Sequence, residues 1–448
     1  MTAAQQALLL WTAAAIIGLV LLIAWARLNA FVALTLISLF VGAASGMPLD
    51  SVVRAFQEGV GNTLGFIAVV IGLGTILGKM LAESGGAEVV AERLIGLFGV
   101  RHLHWVLTFV AFVVGLPVFF SVGLVLLAPI VFTLARNERL SLLLLGLPLV
   151  AGLSASHALV PPHPGPLAAI ERLHADMGRT IAWSLAIGLP AALMVGPPLG
   201  WLVRRRITTM PGALAVELSA VAGRQRRRPG FAITLFAILL PIVLMLAGTA
   251  AAVIWPAGST LRTVATFIGS PIAAMVVAVL VSFYVLGTAC GHNRAELLRF
   301  SEECLGPVAS VLLVVGAGGG LGRVLDAAGV GAAIQGVASG LQLSPLLLGW
   351  VIAALLRIAV GSATVAIVTA AGIMAPVAAA VPGTNLELLV IALGAGSIIA
   401  SHVNDGGFWL VKEYFNLSVV QTLATWTVLE TLFSVVALCL VLIASMVA

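Results

Sequence analysis

Residues 357–366 read RIAVGSATVA, an arginine inside an apolar run one turn before a Gly-Ser-Ala-Thr interruption. An arginine in hydrocarbon costs at least about 3 kcal/mol on insertion scales, so Arg357 needs an internal acid, a route to the interface, or a wet cavity with a charged guest. Its guanidinium fork matches a carboxylate bidentately. A helix starting near Ser362 or Thr364 would add free N–H groups and a positive dipole end. Arg357, Gly361, Ser362 and Thr364 are therefore candidates for holding a carboxylate.

Two further stretches share an opening. SHALVPPHPGP (156–166) and SHVNDGGFW (401–409) both begin Ser-His and then lose helical character, the first through four prolines and the second through Asn-Asp-Gly-Gly turn chemistry. Unwound backbone exposes carbonyls, and Ser156, His157, Ser401, His402 and Asn404 offer donors and acceptors suited to a polyhydroxy acid. The alternative, surface loops with solvated imidazoles, fits His163 better than the matched pair His157 and His402. Asp405 is the first candidate for carrying a proton, because a carboxyl group in a partly desolvated site can load and release one near neutral pH. His157 and His402 come next. Glu430, in the last apolar segment, is either a relay or a hydrogen-bonding link between helices.

Other chemistries lack their signatures. Cys290, Cys304 and Cys439 show no CxxC or metal-type spacing and read as buried free thiols, and there is no HExxH or GxxxxGK[ST] string. No metal, cofactor or nucleotide is expected, so any transport must be driven by a gradient.

The elements that must position these residues lie in lipid. Of 448 residues, 61% are hydrophobic and 9% charged, too few polar groups to cover a water-exposed surface. With a mean hydropathy of +1.19, this composition points to an all-α polytopic membrane protein. The net charge of +5 reflects basic loops and not a nucleic-acid partner. Apolar segments fall at about 7–26, 31–46, 64–81, 105–117, 122–135, 142–160 and 181–203, and again at 231–255, 264–286, 308–325, 346–360, 365–381, 388–399 and 419–447. The first lacks a basic n-region and a cleavage site and reads as a retained helix. Between the sets, residues 204–229 carry seven arginines and read as a cytoplasmic linker between repeats at 1–203 and 230–448.

The halves share a pattern. GLGTILGKML (72–81) and GAGGGLGRVL (316–325) agree at five of ten positions, with Lys79 facing Arg323, both read as helix-end markers. In each half the fourth and fifth segments are short and separated by a break, 117–121 with Ser121 in one and 361–364 in the other. We read each pair as a re-entrant hairpin, the alternative being two kinked spanning helices; hairpins leave about five spanning helices per repeat and two inverted repeats, 12 to 14 hydrophobic segments in all. Stretches 87–97 and 294–304 read as interfacial amphipathic helices.

The strings ASHALVPPHPGP, RIAVGSATVAIVTAAG and SHVNDGGFWLVKEYFNLS, together with LAESGGAE at 81–88, resemble the gluconate permease (gluconate:proton symporter) family, within a wider group of ion transporters with inverted repeats. The resemblance implies a bacterial inner-membrane carrier, not an enzyme, that takes gluconate or a related acid (fructuronate, idonate, glycerate, D-serine) together with protons. Sodium coupling and a homo-oligomeric state are left open.

Overall fold

The computed structural model describes residues 3–99, 102–207, 209, 227–306, 308–330, 333 and 344–447. Most of the linker expected at 204–229 thus lies outside the described residues. Among these residues every regular element is a helix. The first half holds α1 (Ala3–Val20, continued by a π-helical turn Leu21–Trp25), α2 (Ala30–Ala44), α3 (Leu49–Glu83), α4 (Gly86–Phe98), α5 (Leu103–Gly115), α6 (Phe120–Asn137), α7 (Leu142–Leu159), α8 (Pro164–Leu173) and α9 (Met177–Val203). The second holds α10 (Phe231–Ile254), α11 (Thr260–Ile268), α12 (Pro271–Cys290), α13 (Arg294–Glu303), α14 (Val308–Ala327), α15 (Pro345–Val360), α16 (Ala363–Ala380), α17 (Leu386–Gly396), α18 (Gly406–Tyr414) and α19 (Val419–Ala444).

Ten helices among the described residues are long and apolar enough to cross a membrane. With a rise of 1.5 Å per residue, α5 at 13 residues and α17 at 11 fall well short of the roughly 30 Å hydrocarbon core. Such short helices need protein around them, and they have it: α5 and α17 are buried along most of their length. The centre of the molecule is α7, in which every residue except His157 is buried. Lipid-facing helices show the opposite pattern, with Trp25, Val253, Phe267 and Val420 outward.

Small residues let the helices close up where lipid supplies no hydrophobic drive between them. The glycine run of α14 lies antiparallel on α3: Gly316 sits over Leu64, Gly319 over Thr63 and the Gly59 carbonyl, and Gly320 over Phe56. The ion pair Arg323–Glu58, at 3.1 Å, closes the same contact.

Four expectations are corrected. Helix α3 starts at Leu49, not near residue 64, because its first turns are amphipathic and escape a search for apolar runs. The segment expected at 264–286 is broken at Gly269–Ser270 into α11 and α12. The irregular stretch expected through the four prolines is confined to 160–163, since Pro164 is tolerated in the first turn of α8. Of the three free thiols only Cys290 is buried, while Cys439 is exposed on α19, where lipid accepts it.

The α3–α14 contact has a direct test. A Cβ at Gly319 would stand 2.8 Å from the Gly59 carbonyl oxygen, whereas one at Gly61 meets nothing within 4 Å. Gly319→Ala is expected to destabilise the protein by about 1–3 kcal/mol through overpacking, and Gly61→Ala to leave the detergent unfolding temperature unchanged or higher.

Candidate functional site

Two helix interruptions create the site. Helix α5 stops at Gly115 and α6 resumes at Phe120; between them the Pro117 carbonyl oxygen approaches Gly78 of α3 so closely that a Cβ there would lie 2.8 Å away. Helix α15 stops at Gly361, which takes a left-handed φ of +77°, and the Ser362 hydroxyl accepts the Val365 N–H at 3.4 Å to start α16. Only glycine suits position 361, because its φ disfavours a side chain and a Cβ would lie 2.6 Å from the Asn404 side-chain carbon.

Both breaks line one cavity of about 860 Å³, within the range of roughly 300–1,000 Å³ that holds small ligands. Its wall is completed by Lys79 from α3, Ser154 and His157 from α7, the turn before α18, and Trp426 and Glu430 from α19. His157 is the one part-exposed residue of α7 because it faces this space.

Arg357 is only 4% exposed. Its Nη1 donates to the Gly361 carbonyl at 2.7 Å and its Nη2 to Asp405 Oδ2, while Nε has no partner. Asp405 also accepts from the Ser401 hydroxyl and, through Oδ1, from the Gly407 N–H at 2.9 Å as the cap of α18. Ser401 in turn accepts from Trp426 Nε1 at 2.7 Å. Across the cavity Ser154 donates to Glu430 Oε2 at 2.9 Å, and Glu430 Oε1 is buried without a partner. The arrangement contains one fixed guanidinium, one carboxylate bonded to it and a second carboxyl that is not.

Of the residues singled out from sequence, the cavity wall carries Arg357, Gly361, Ser362, Thr364, Ser121, His157, Asn404, Asp405 and Glu430. Three stand behind it. Ser401 supports Asp405, Ser156 donates to the Leu153 carbonyl, and His402 Nδ1 bonds the Ala400 carbonyl. His163 is buried, not solvated: its Nε2 donates to the Gly115 carbonyl at 2.8 Å and its ring packs on His157 at 5.0 Å. Sequence reasoning missed Lys79, Ser154 and Trp426 as wall residues. Ser154 lies three residues from His157 and Trp426 four from Glu430, so helical spacing held that signal. Lys79 pairs with Glu83 at 2.7 Å and Glu303 at 3.4 Å at the edge of the cavity. The LAESGGAE string spans the α3–α4 turn and touches the cavity only through Ala82; in it burial pushes the Glu88 carboxyl above its ordinary value, against its own backbone N–H and Arg228.

The chain matches the GntP family permeases over residues 7–447. It is 48% identical to a gluconate permease of Pseudomonas aeruginosa, over 98% of each chain. It is 39% identical to the Gnt-II system L-idonate transporter of Escherichia coli, over 95% of this chain and 96% of that one. A D-serine transporter of Escherichia coli, DsdX, is 38% identical over 94% and 95%. In fold it resembles the Neisseria gonorrhoeae efflux pump MtrF, with a TM-score of 0.61 at 15% identity, covering 95% of this chain and 96% of that one.

The break at Gly361 separates site geometry from general stability. Gly361→Ala is expected to lower the initial rate of substrate uptake at least about tenfold, since left-handed strain of about 1–2 kcal/mol adds to the collision with Asn404. Gly383 is also left-handed, φ +81°, but open on all sides. Gly383→Ala should lose stability only, with uptake per folded molecule retained.

Proposed function

The chain belongs to the GntP permease family, and from that premise we propose that it imports gluconate or a close sugar acid by proton symport, through alternating access of the cavity between Gly78, His157, Gly361 and Glu430. As a family member it is a permease and not an enzyme, multi-pass in the bacterial cytoplasmic membrane. The observation that carries the substrate reading is Arg357, a buried guanidinium on the wall of a ligand-sized cavity. A guanidinium there favours a carboxylate over neutral sugars. The hydroxyls of Ser121, Ser154 and Thr364, the Asn404 amide and the His157 ring supply partners for the polyol.

Proton coupling follows from charge. An anion entering a cell that is negative inside works against about 2.3 kcal/mol per 100 mV. One proton carried with it removes that opposition, and the two carboxyl groups on the wall, Asp405 and Glu430, are the carriers in this reading. His157 is a wall residue without a donor or acceptor for Nδ1, and His402 stands off the wall.

Alternating access is favoured by the unequal exposure of two corresponding helices. In α8 Pro164 to Ile170 are buried, whereas in α18 Gly406 and Trp409 are exposed. The cavity in this conformation is thus shut on the α8 side and reaches the α18 side. Part-exposed Lys79, Ala82 and Cys304 continue it toward α4, whose Glu92 holds Arg228 at 3.1 Å beside the arginine-rich linker. By the positive-inside rule that side is the cytoplasm. The second substrate reading, an amino acid such as D-serine, rests on the 38% identical relative of that name. The same carboxylate site would serve it.

Arg357→Ala is expected to raise the half-saturating gluconate concentration about 10- to 100-fold, the loss of a charge-assisted contact, in vesicles with an imposed pH gradient. Normal affinity in that variant would remove the assignment. Competition by idonate, fructuronate and D-serine against labelled gluconate ranks the substrates, and uptake is expected to stop with a protonophore and to ignore sodium.

A further inference from the structure

We propose that Asp405 is an internal stand-in for the substrate's carboxylate: it occupies Arg357 in the empty carrier, the incoming anion displaces it, and the released Asp405 takes up the coupled proton. This deepens the reading of Arg357 as the anion's partner and rests on it. The contact between the two is one-pronged, a single guanidinium nitrogen to a single carboxylate oxygen, with the other terminal nitrogen on the Gly361 carbonyl and Nε unpartnered. A substrate carboxylate brings two oxygens to the same fork and so competes well for it.

Asp405 is also held without Arg357. The Gly407 N–H and the Ser401 hydroxyl keep the carboxyl in place at the head of α18, so the exchange requires the guanidinium to turn and not the loop to refold. Once displaced, Asp405 faces an added negative charge across a poorly solvated space. The groups around it are Arg357 of α15, now engaged, Glu430 of α19, His157 of α7, His402 of its own segment and, at the cavity edge, Lys79, itself paired with two glutamates. Of these, the arginine and the lysine are both already paired. Hydronium reaching the cavity gives up a proton, one of its O–H bonds breaking as one forms on Asp405 and neutral water leaving, and this restores the charge of the empty site: Arg357 with Asp405 sums to zero, adding the anion gives minus one, and adding the proton gives zero again. One proton per anion is thereby built into the pair.

The test compares wild type with Asp405→Asn in proteoliposomes, using labelled D-gluconate. The variant is expected to keep gluconate-for-gluconate exchange, with an affinity equal to or tighter than wild type and flat from acid to neutral pH, while an imposed pH gradient no longer concentrates the substrate. Accumulation of gluconate by Asp405→Asn to the wild-type ratio overturns the proposal, as does a tenfold weaker exchange affinity. Binding has a second readout, because Ser401 joins Asp405 to Trp426, so gluconate should change tryptophan emission in the variant and not in Trp426→Phe. A monodisperse Asp405→Asn protein that neither exchanges nor responds in emission also overturns it. Should that variant fail to fold, Asp405→Ser, which keeps an acceptor for the Gly407 N–H, is read by the same criteria. Failure of the underlying site reads differently: Arg357→Ala with normal affinity removes both ideas, whereas Arg357→Ala without binding beside Asp405→Asn with full accumulation removes only the exchange.

Discussion

A guanidinium charge held inside a membrane protein needs acceptors, and the residues around Arg357 are organised to provide them. Regular helices in lipid consume their own carbonyls, so a continuous α15–α16 helix would have none to offer. Stopping α15 at Gly361 frees a carbonyl in the last turn, and Arg357 Nη1 takes it. The second acceptor, Asp405, is fixed the same way from the other end of a helix, by the free N–H of Gly407 at the start of α18. Broken backbone and buried charge thus satisfy each other, and the cavity is the space where the two irregular segments meet.

Much of this was legible in the sequence, for a physical reason. A charge in an apolar run beside Gly-Ser is rare enough in lipid to single out Arg357, and turn residues following Ser-His mark Asn404 and Asp405. The two breaks also fall where short apolar segments predicted them. What the sequence hid was direction and pairing. Ser156 and Ser154 look interchangeable on a linear string, yet the helix turns Ser154 to the cavity and Ser156 to the Leu153 carbonyl. The partner of Arg357 lies 48 residues away, so the sequence, which favours a guest anion at Arg357, does not reveal that an internal acid holds it. The start of α3 is hidden because its first turns are amphipathic and face α14 on one side only, where Glu58 finds Arg323.

The corresponding break in the first half has a different chemistry. There the freed carbonyl is that of Gly115, and the group that takes it is the ring of His163, backed by His157 and Phe119. Each break therefore has a side chain tied to the end of its helix, but only in the second does that side chain also pair with a carboxylate. Lys79, the other cation on the wall, is matched by Glu83 and Glu303. The two cations of the wall thus differ in kind, Arg357 answering to one carboxylate and one freed carbonyl and Lys79 to two glutamates. The same kind of backbone vacancy, a carbonyl left free where a helix stops, is thus met by arginine at one break and by histidine at the other.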